Sequence, residues 1–364
     1  MFRCPRCGYR GLEKRCPKCG FPLIPEPPRK LEVDKSEPNI WRYSSALGVK
    51  RGISLGEGLT PLKKVGGVLV KDESKNPTGS IMDRGSAVLA STYNGDRAVL
   101  DFQEDFAISI ATYLSAKGVA VDIYIDPAAA AYTDFLSLAL LPSIDIRFGK
   151  APRPDLEYGE PYFLAGIKTL AYELHEGSKR LEAVAFPLES GILALAVYEG
   201  FRDLEEWGFA SPPQLLLAIH KGAPPSKIAL WLAERGAKLV EVEAEEAVRA
   251  AVELARRGVY AKPLSAMAYV AASSEKGAVA VITGTGVRRP YLRRAKSLGG
   301  LQAQILELLK GREMTAYEIW NALGRRPTLR GVYKALASLS TRGLVSSTYR
   351  TLGKRKIRVY RMGP

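Results

Sequence analysis

The sequence predicts an α/β body built on a mostly parallel sheet, with a small metal-binding ribbon ahead of it and a basic α+β domain behind it. Three observations carry that expectation. Short β-branched or aliphatic runs alternate with apolar-periodic stretches through the middle of the chain; four cysteines are confined to the first twenty residues; the excess positive charge is confined to the last fifth. Alternating strands and helices give a parallel sheet covered on both faces. The expected boundaries are 1–24 for the ribbon, 25–295 for the body and 296–364 for the basic domain.

The ribbon follows from cysteine spacing. Cys4-x2-Cys7-x8-Cys16-x2-Cys19 contains two knuckles of the form Cys-Pro-basic-Cys-Gly. The glycine lets backbone amides turn toward the thiolates, so four sulfurs converge on one tetrahedral ion. Structural Zn2+ is expected at Cys4, Cys7, Cys16 and Cys19, with iron as the competing metal and two disulfides as the competing chemistry. No stretch reads as a signal peptide or a membrane span, which favours a reducing, cytoplasmic location and excludes a membrane role. Pro25-Glu-Pro-Pro28 then reads as a stiff connector.

The body's strands are expected at Val68-Leu-Val70, Ala98-Val-Leu100, Val121 to Ile125, Ala183 to Phe186, Leu215 to Ile219 and Ala278 to Ile282. Helical periodicity marks the stretches between them, clearest at 108–116 and 244–256. In such sheets a ligand sits at the carboxyl ends of the strands. His175 and His220 stand in unrelated contexts and read as incidental.

The motifs at those strand ends carry a resemblance. Ser54-Leu-Gly-Glu-Gly-Leu-Thr-Pro-Leu62, Val70-Lys-Asp-Glu73 and Asn76-Pro-Thr-Gly-Ser-Ile-Met-Asp-Arg-Gly85 resemble the threonine synthase family of pyridoxal phosphate (PLP) enzymes. The resemblance spans roughly residues 1 to 290 and implies a two-lobed, tryptophan synthase β-like fold. It also implies a Schiff-base lysine at position 82, where this chain has methionine. A thioether has no nitrogen and forms no aldimine; Lys71 matches a different family lysine and does not replace it.

Two further elements depart from the family. Its Ser-Gly-Asn loop corresponds to Gln103-Glu104-Asp105, which puts two carboxylates where an anion should dock at a helix start. Its glycine-rich phosphate cradle corresponds to Pro187-Leu-Glu189-Ser190-Gly191, where one glycine survives and Glu189 repels a phosphate. Thr283-Gly-Thr-Gly286 keeps the form of the segment beside the pyridine nitrogen. The expectation is a catalytically degenerate site without PLP, in which Met82, Gln103, Glu104, Asp105, Glu189, Ser190, Gly191 and Thr283 mark the lost positions.

Charge locates a second function. Residues 288–364 hold 18 Lys and Arg against three acids, a net of +15, which equals the net charge of the whole chain. Residues 1–287 carry 35 of each sign. Charge gathered in one small domain is the footprint of a polyanion partner. The pattern there reads as a helix around 301–309, a capping box Thr315-Ala-Tyr-Glu318 opening a second helix, and a turn at Arg325-Arg326-Pro327. A third helix is expected from Thr328 to Arg342, with Leu329, Val332, Leu336 and Leu339 buried and Arg330 and Lys334 opposite them. A two-stranded ribbon, 344–351 and 356–361, follows. This order resembles a winged helix-turn-helix domain, which implies double-stranded DNA as partner. Arg325, Arg326, Thr328, Arg330 and Lys334 are expected there from the helix-turn-helix, and Arg350, Lys354, Arg355, Lys356 and Arg358 from the hairpin.

The functional expectation is a homodimeric transcriptional regulator that is not an enzyme, its inherited cleft free to sense an amino acid or related small-molecule effector. An RNA- or ribosome-associated factor and an enzyme working without a Schiff base are the alternatives.

Overall fold

The computed structural model describes residues 1–178, 181–285, 300–341, 344–352 and 355–362. It divides into two units, Met1–Tyr291 and Leu292–Pro364.

In the first unit, β1 (Phe2–Arg3), β2 (Arg10–Gly11) and β3 (Ile24–Pro25) form an antiparallel sheet in the order β2-β1-β3. The knuckles turn at Gly8 and Gly20, whose φ of 73° and 68° lie in the left-handed region that glycine enters without a Cβ clash. The ribbon packs on the body and shares its apolar cluster. Phe2, Phe21, Leu23 and Ile24 are buried in the same apolar cluster as the body. Phe2 meets Tyr162 edge-on at 5.2 Å and Phe21 lies 5.4 Å from Trp231. So short a segment buries too little of its own surface and borrows the body's.

The body continues through α1 (Ser44–Leu47), β4 (Leu62–Val65), β5 (Val68–Asp72), α2 (Met82–Thr92), β6 (Arg97–Asp101), α3 (Glu104–Lys117), β7 (Ala120–Ile125), α4 (Tyr132–Ala139) and β8 (Ile144–Phe148). It then runs through α5 (Pro161–Gly177), β9 (Ala183–Pro187), α6 (Ile192–Glu206), β10 (Gln214–His220), α7 (Lys227–Ala233), β11 (Lys238–Val242), α8 (Ala244–Arg256), α9 (Pro263–Ser273) and β12 (Ala278–Ile282). All six expected strands and both expected helices form. They build a six-stranded sheet, β11-β10-β9-β12-β5-β4, parallel except for β4, and a parallel three-stranded sheet, β6-β7-β8. The fold is α/β with two sheets, as expected.

Both faces of the larger sheet are dry. Val184, Phe186, Leu215 and Leu217 point into one apolar cluster, while Ala183, Ala185, Ala218 and Ala280 point into another. The alanine face lets α9, itself carrying Ala266, Ala268, Ala271 and Ala272, pack close against the strands. On the other side α2 and α5 cross tightly: a Cβ at Gly166 would fall 2.0 Å from the Arg84 carbonyl oxygen. That close approach fixes the start of α2 against α5. Among the described residues no helix is long and apolar enough to cross a membrane.

The second unit contains α10 (Gly300–Leu309), β13 (Met314–Thr315), α11 (Ala316–Ala322), α12 (Leu329–Thr341), β14 (Val345–Leu352) and β15 (Arg355–Met362). The strands form an antiparallel sheet in the order β13-β15-β14. The Thr315 hydroxyl accepts from the Glu318 amide at 3.1 Å and Glu318 reaches back to the Thr315 amide, so the expected capping box starts α11. Ile305, Leu309, Ile319, Val332, Leu336 and Leu339 are the core, closed by Val345 and Tyr360 from the ribbon. Leu329 is half-buried, which shortens the expected stripe on α12 by one position.

Candidate functional site

The loop Asn76–Gly85 is pinned from several sides, and Met82 is the first residue of α2. Ile81 donates its amide to the Thr283 carbonyl and Thr285 donates to that of Gly79, both at 2.8 Å. Asp83 accepts from the Thr78 amide, the Thr78 hydroxyl and the Ser109 hydroxyl, each at 2.6 Å. Burial pushes its carboxyl up to about 7 against those donors. Arg84, fully buried, lies 2.7 Å from both Glu73 and Glu173. Burial alone would raise Glu73; the adjacent Arg84 guanidinium holds it down at about 2. Lys71 lies inside β5, buried, and donates to Glu173 and the Thr60 carbonyl. It is part of this structural network and does not line the cleft. The segment is therefore pinned on both sides of Met82, whose thioether opens α2 at the cavity.

Met82, Gln103, Glu104, Asp105, Glu189, Ser190, Gly191 and Thr283 all line one cavity of about 200 Å³. Residues scattered over two hundred positions meet because β9 and β12 end beside the starts of α2 and α3. The volume is small against the roughly 300–1,000 Å³ of ordinary small-molecule sites. Gly286 lies outside the described residues. Neither histidine lines the cavity.

Four helices, α2, α3, α6 and α9, begin at this cavity, at Met82, Glu104, Ile192 and Pro263. Converging N-termini create a field that suits anions. Here the chain supplies carboxylates itself, with Glu104 and Asp105 in the first turn of α3 and Glu189 shortly before α6. Glu104 has φ of 22°, a strained value for a residue with a side chain.

The cavity also holds a lysine that sequence reading missed. Lys262, the residue before α9, places Nζ 2.7 Å from Glu104 and 2.9 Å from Asp105. The two carboxylates are therefore not bare negative charges, as the sequence implied; Lys262 offsets part of their field. A lone Lys-Pro step gives no sequence signal of this role, because the pairing spans 158 positions. Phe106 and Tyr158 line the cavity and Phe163 packs against both, with ring centres 5.4–5.7 Å apart. Burial, with nearby Glu189, raises the Tyr158 hydroxyl well above its ordinary range, against its bond to Ser190.

These residues do not fit a Schiff-base cofactor. Position 82 offers sulfur instead of an amine, and Lys262 is engaged by two acids. Gly191, at φ 84°, keeps the cradle's turn, but Glu189 adds a charge that a phosphate would meet.

The four cysteines form a second centre, their sulfurs all within 4.8 Å of one another and none joined in a disulfide. Cys4–Cys19 and Cys7–Cys16 are 3.5 Å apart and Cys7–Cys19 3.7 Å. A tetrahedron with metal–sulfur bonds of about 2.3 Å has edges of about 3.8 Å. Backbone amides of Arg6 and Cys7 serve Cys4, and those of Lys18 and Cys19 serve Cys16. A four-thiolate site of this size fits a metal ion and leaves no ligand position open.

The basic residues of the second unit separate into distinct roles. Arg330 and Lys334 are exposed on α12, and Arg326 is exposed in the turn before it. Arg325 stacks 5.1 Å over Trp320 and donates to Asn321, so it braces the turn. The Thr328 hydroxyl accepts from the Gly331 amide at 3.1 Å and caps α12. On the ribbon, Tyr349 opposes Arg358 and Thr351 opposes Lys356, whereas Arg350 opposes Ile357 on the other face. Lys354 and the side chain of Arg355 lie outside the described residues. The acids of this unit are engaged locally: Glu307 with Lys310, Glu313 with Arg361, Glu318 in its cap.

The two sheets, their order and the cleft between them define the class: the body has the fold of the PLP-dependent enzymes of fold type II. It superposes on serine racemase from Dictyostelium discoideum with a TM-score of 0.53 at 14% identity, covering 63% of this chain and 93% of that one. Maize serine racemase gives 0.53 at 14% identity over 65% and 91%. By sequence the chain is similar to threonine synthase of Methanosarcina acetivorans, 25% identical over 231 residues, covering 54% of this chain and 57% of that enzyme. It is 27% identical over 304 residues to threonine synthase of Halalkalibacterium halodurans, covering 65% and 85%. The chain thus spans little more than half the length of the first of these relatives. No family model matches it.

Proposed function

We propose that this protein is a DNA-binding transcriptional regulator whose threonine synthase-like body performs no Schiff-base chemistry. The observation that carries the reading is charge segregation: a net of +15 in residues 288–364 and none before them. The helix-strand-helix-helix-strand-strand order of that unit supports a winged helix-turn-helix domain. In this reading α12 enters the major groove with Arg330 and Lys334, while Lys356, Arg358 and the hairpin tip meet phosphate. Neither α12 nor the ribbon carries an acid to oppose them. The working form is a homodimer reading two half-sites, in the cytoplasm, with Zn2+ on Cys4, Cys7, Cys16 and Cys19. The small cleft takes a compact effector at most.

The test is fluorescence anisotropy of the full chain on duplex DNA across roughly 50–200 mM salt, over which several phosphate contacts lower affinity by orders of magnitude. A full-length protein that binds no duplex even at the low-salt end sinks the reading. The similarity to two threonine synthases favours a second reading, catalysis. Borohydride treatment with added PLP separates the two: a pyridoxyl adduct on the cleft would favour the enzyme.

A further inference from the structure

The surface between α12 and the ribbon carries more than charge. Opposed residues of an antiparallel pair share a face, so Val345, Ser347, Tyr349 and Thr351 lie on the same side of the ribbon as Tyr360, Arg358 and Lys356. Val345 and Tyr360 are packed into the core with Val332 and Leu336 of α12. That side therefore faces α12, and beyond the core it emerges at Tyr349 and Arg358. Tyr349 is 70% exposed there, and Tyr333 of α12 is 50% exposed. Buried Tyr360 connects them: burial raises its hydroxyl, Arg358 opposes this, and the hydroxyls of Tyr333 and Tyr349 add to the rise. Arg358 is held in place, donating to the Ser347 hydroxyl at 2.9 Å and lying 5.5 Å over the Tyr360 ring.

Tyr349 stands opposite Arg358 across the ribbon, and Tyr333 follows Val332 on the helix that this face packs against, so the exposure of both rings needs a reason. Exposed aromatic rings beside a fixed cation match a nucleic acid strand, whose phosphate meets the arginine while sugar and base edges meet the rings. We propose that Tyr333, Tyr349 and Arg358 form a specificity-determining corner for duplex DNA, in which Arg358 fixes one phosphate and the two rings pack on the adjoining sugar and base edge. Arg350, on the far face of the ribbon, takes no part. The inference rests on the DNA-binding reading of this unit and adds to it which face and which uncharged residues set sequence preference.

The experiment is selection by the full chain from a randomised duplex library, then titration of the selected duplex at several salt concentrations. Tyr333→Ala should lose roughly tenfold of its discrimination at one or two positions, as for one mismatched pair, with an unchanged salt slope. Tyr333→Phe, which keeps the ring and the helix, should retain most of it, separating contact loss from misfolding. Tyr349→Ala should weaken binding with the slope unchanged. Arg358→Ala should flatten the log-log slope by about one, and Arg350→Ala should alter neither slope nor preference. If Tyr333→Ala selects the same sequence with the same discrimination, or Arg350→Ala flattens the slope as much as Arg358→Ala, the corner is not the reading surface. Equal affinity for duplex RNA would also overturn it, since the narrow A-form major groove excludes α12. A wild-type chain that enriches no duplex refutes the DNA reading itself, a distinct outcome from intact binding without a tyrosine effect.

Discussion

Position 82 carries a thioether and no amine, in a loop anchored through Asp83 and Arg84. Restoring lysine alone, Met82→Lys, should therefore fold normally yet form no stable aldimine with PLP, because Glu189 and the Glu104–Asp105–Lys262 cluster still occupy the anion positions. Absorbance near the aldimine band and mass spectrometry after borohydride check this; robust threonine synthesis in that single variant would show that the altered loops matter little. Glu73 carries a pH signature. Its carboxyl is depressed from its ordinary 4.5 to about 2, so it contributes stability above pH 4.5 that is lost as pH falls through about 2. Glu73→Gln should flatten the acid limb of the stability curve in that window and cost about 3–5 kcal/mol by leaving Arg84 short of a buried partner. Chemical denaturation at pH 3 and pH 6 measures both. At this scale Met82 was legible because its motif is contiguous. Lys262 was not, since its meaning lies entirely in partners from another part of the chain.

Among elements, the ribbon's dependence on the body gives a prediction that cysteine spacing alone would not. Phe2, Phe21 and Arg3 join it to Tyr162, Trp231 and Glu199. Cys16→Ser should lose one metal ion per chain by elemental analysis, and chelation should lower the melting temperature of the whole first unit. Metal loss without any shift in that transition would mean that the ribbon is an appendage after all. On α12, Arg330→Ala or Lys334→Ala should relax sequence preference, each by roughly 1–3 kcal/mol per lost base contact in quantitative binding to variant duplexes. Element detection failed in a consistent place. Within the body's two sheets, the strands not foreseen, β4, β8 and β11, each lie at a sheet edge. An edge strand has one neighbour and keeps side chains in water, so its apolar signal is weak: Phe148 of β8 is 71% exposed. The central strands, dry on both faces, read as continuous apolar runs and were found, as was the edge strand β6, whose Ala98 and Leu100 are fully buried.

For the whole molecule, charge separates the two units. A chain ending at Val287 carries 35 residues of each sign and should fold as a neutral body without affinity for duplex DNA. Anisotropy on the duplex selected by the full chain tests it, and full affinity in that truncated protein would put the partner surface elsewhere. By itself the sequence determined the features whose physics is local or additive: the alternation of strands and helices, the thiolate spacing, the capping box at Thr315, the net charge of the last 77 residues and the missing amine at 82. Only the tertiary structure decided what depends on residues far apart. It gathered residues from Met82 to Thr283 into one cavity, set Lys262 against the two acids, packed the ribbon into the body's apolar cluster, and placed Tyr349 and Arg358 on the opposite face from Arg350. Periodicity tells which residues turn inward, but which distant side chain meets them there is set by strand order and register, and a single chain carries no local record of either.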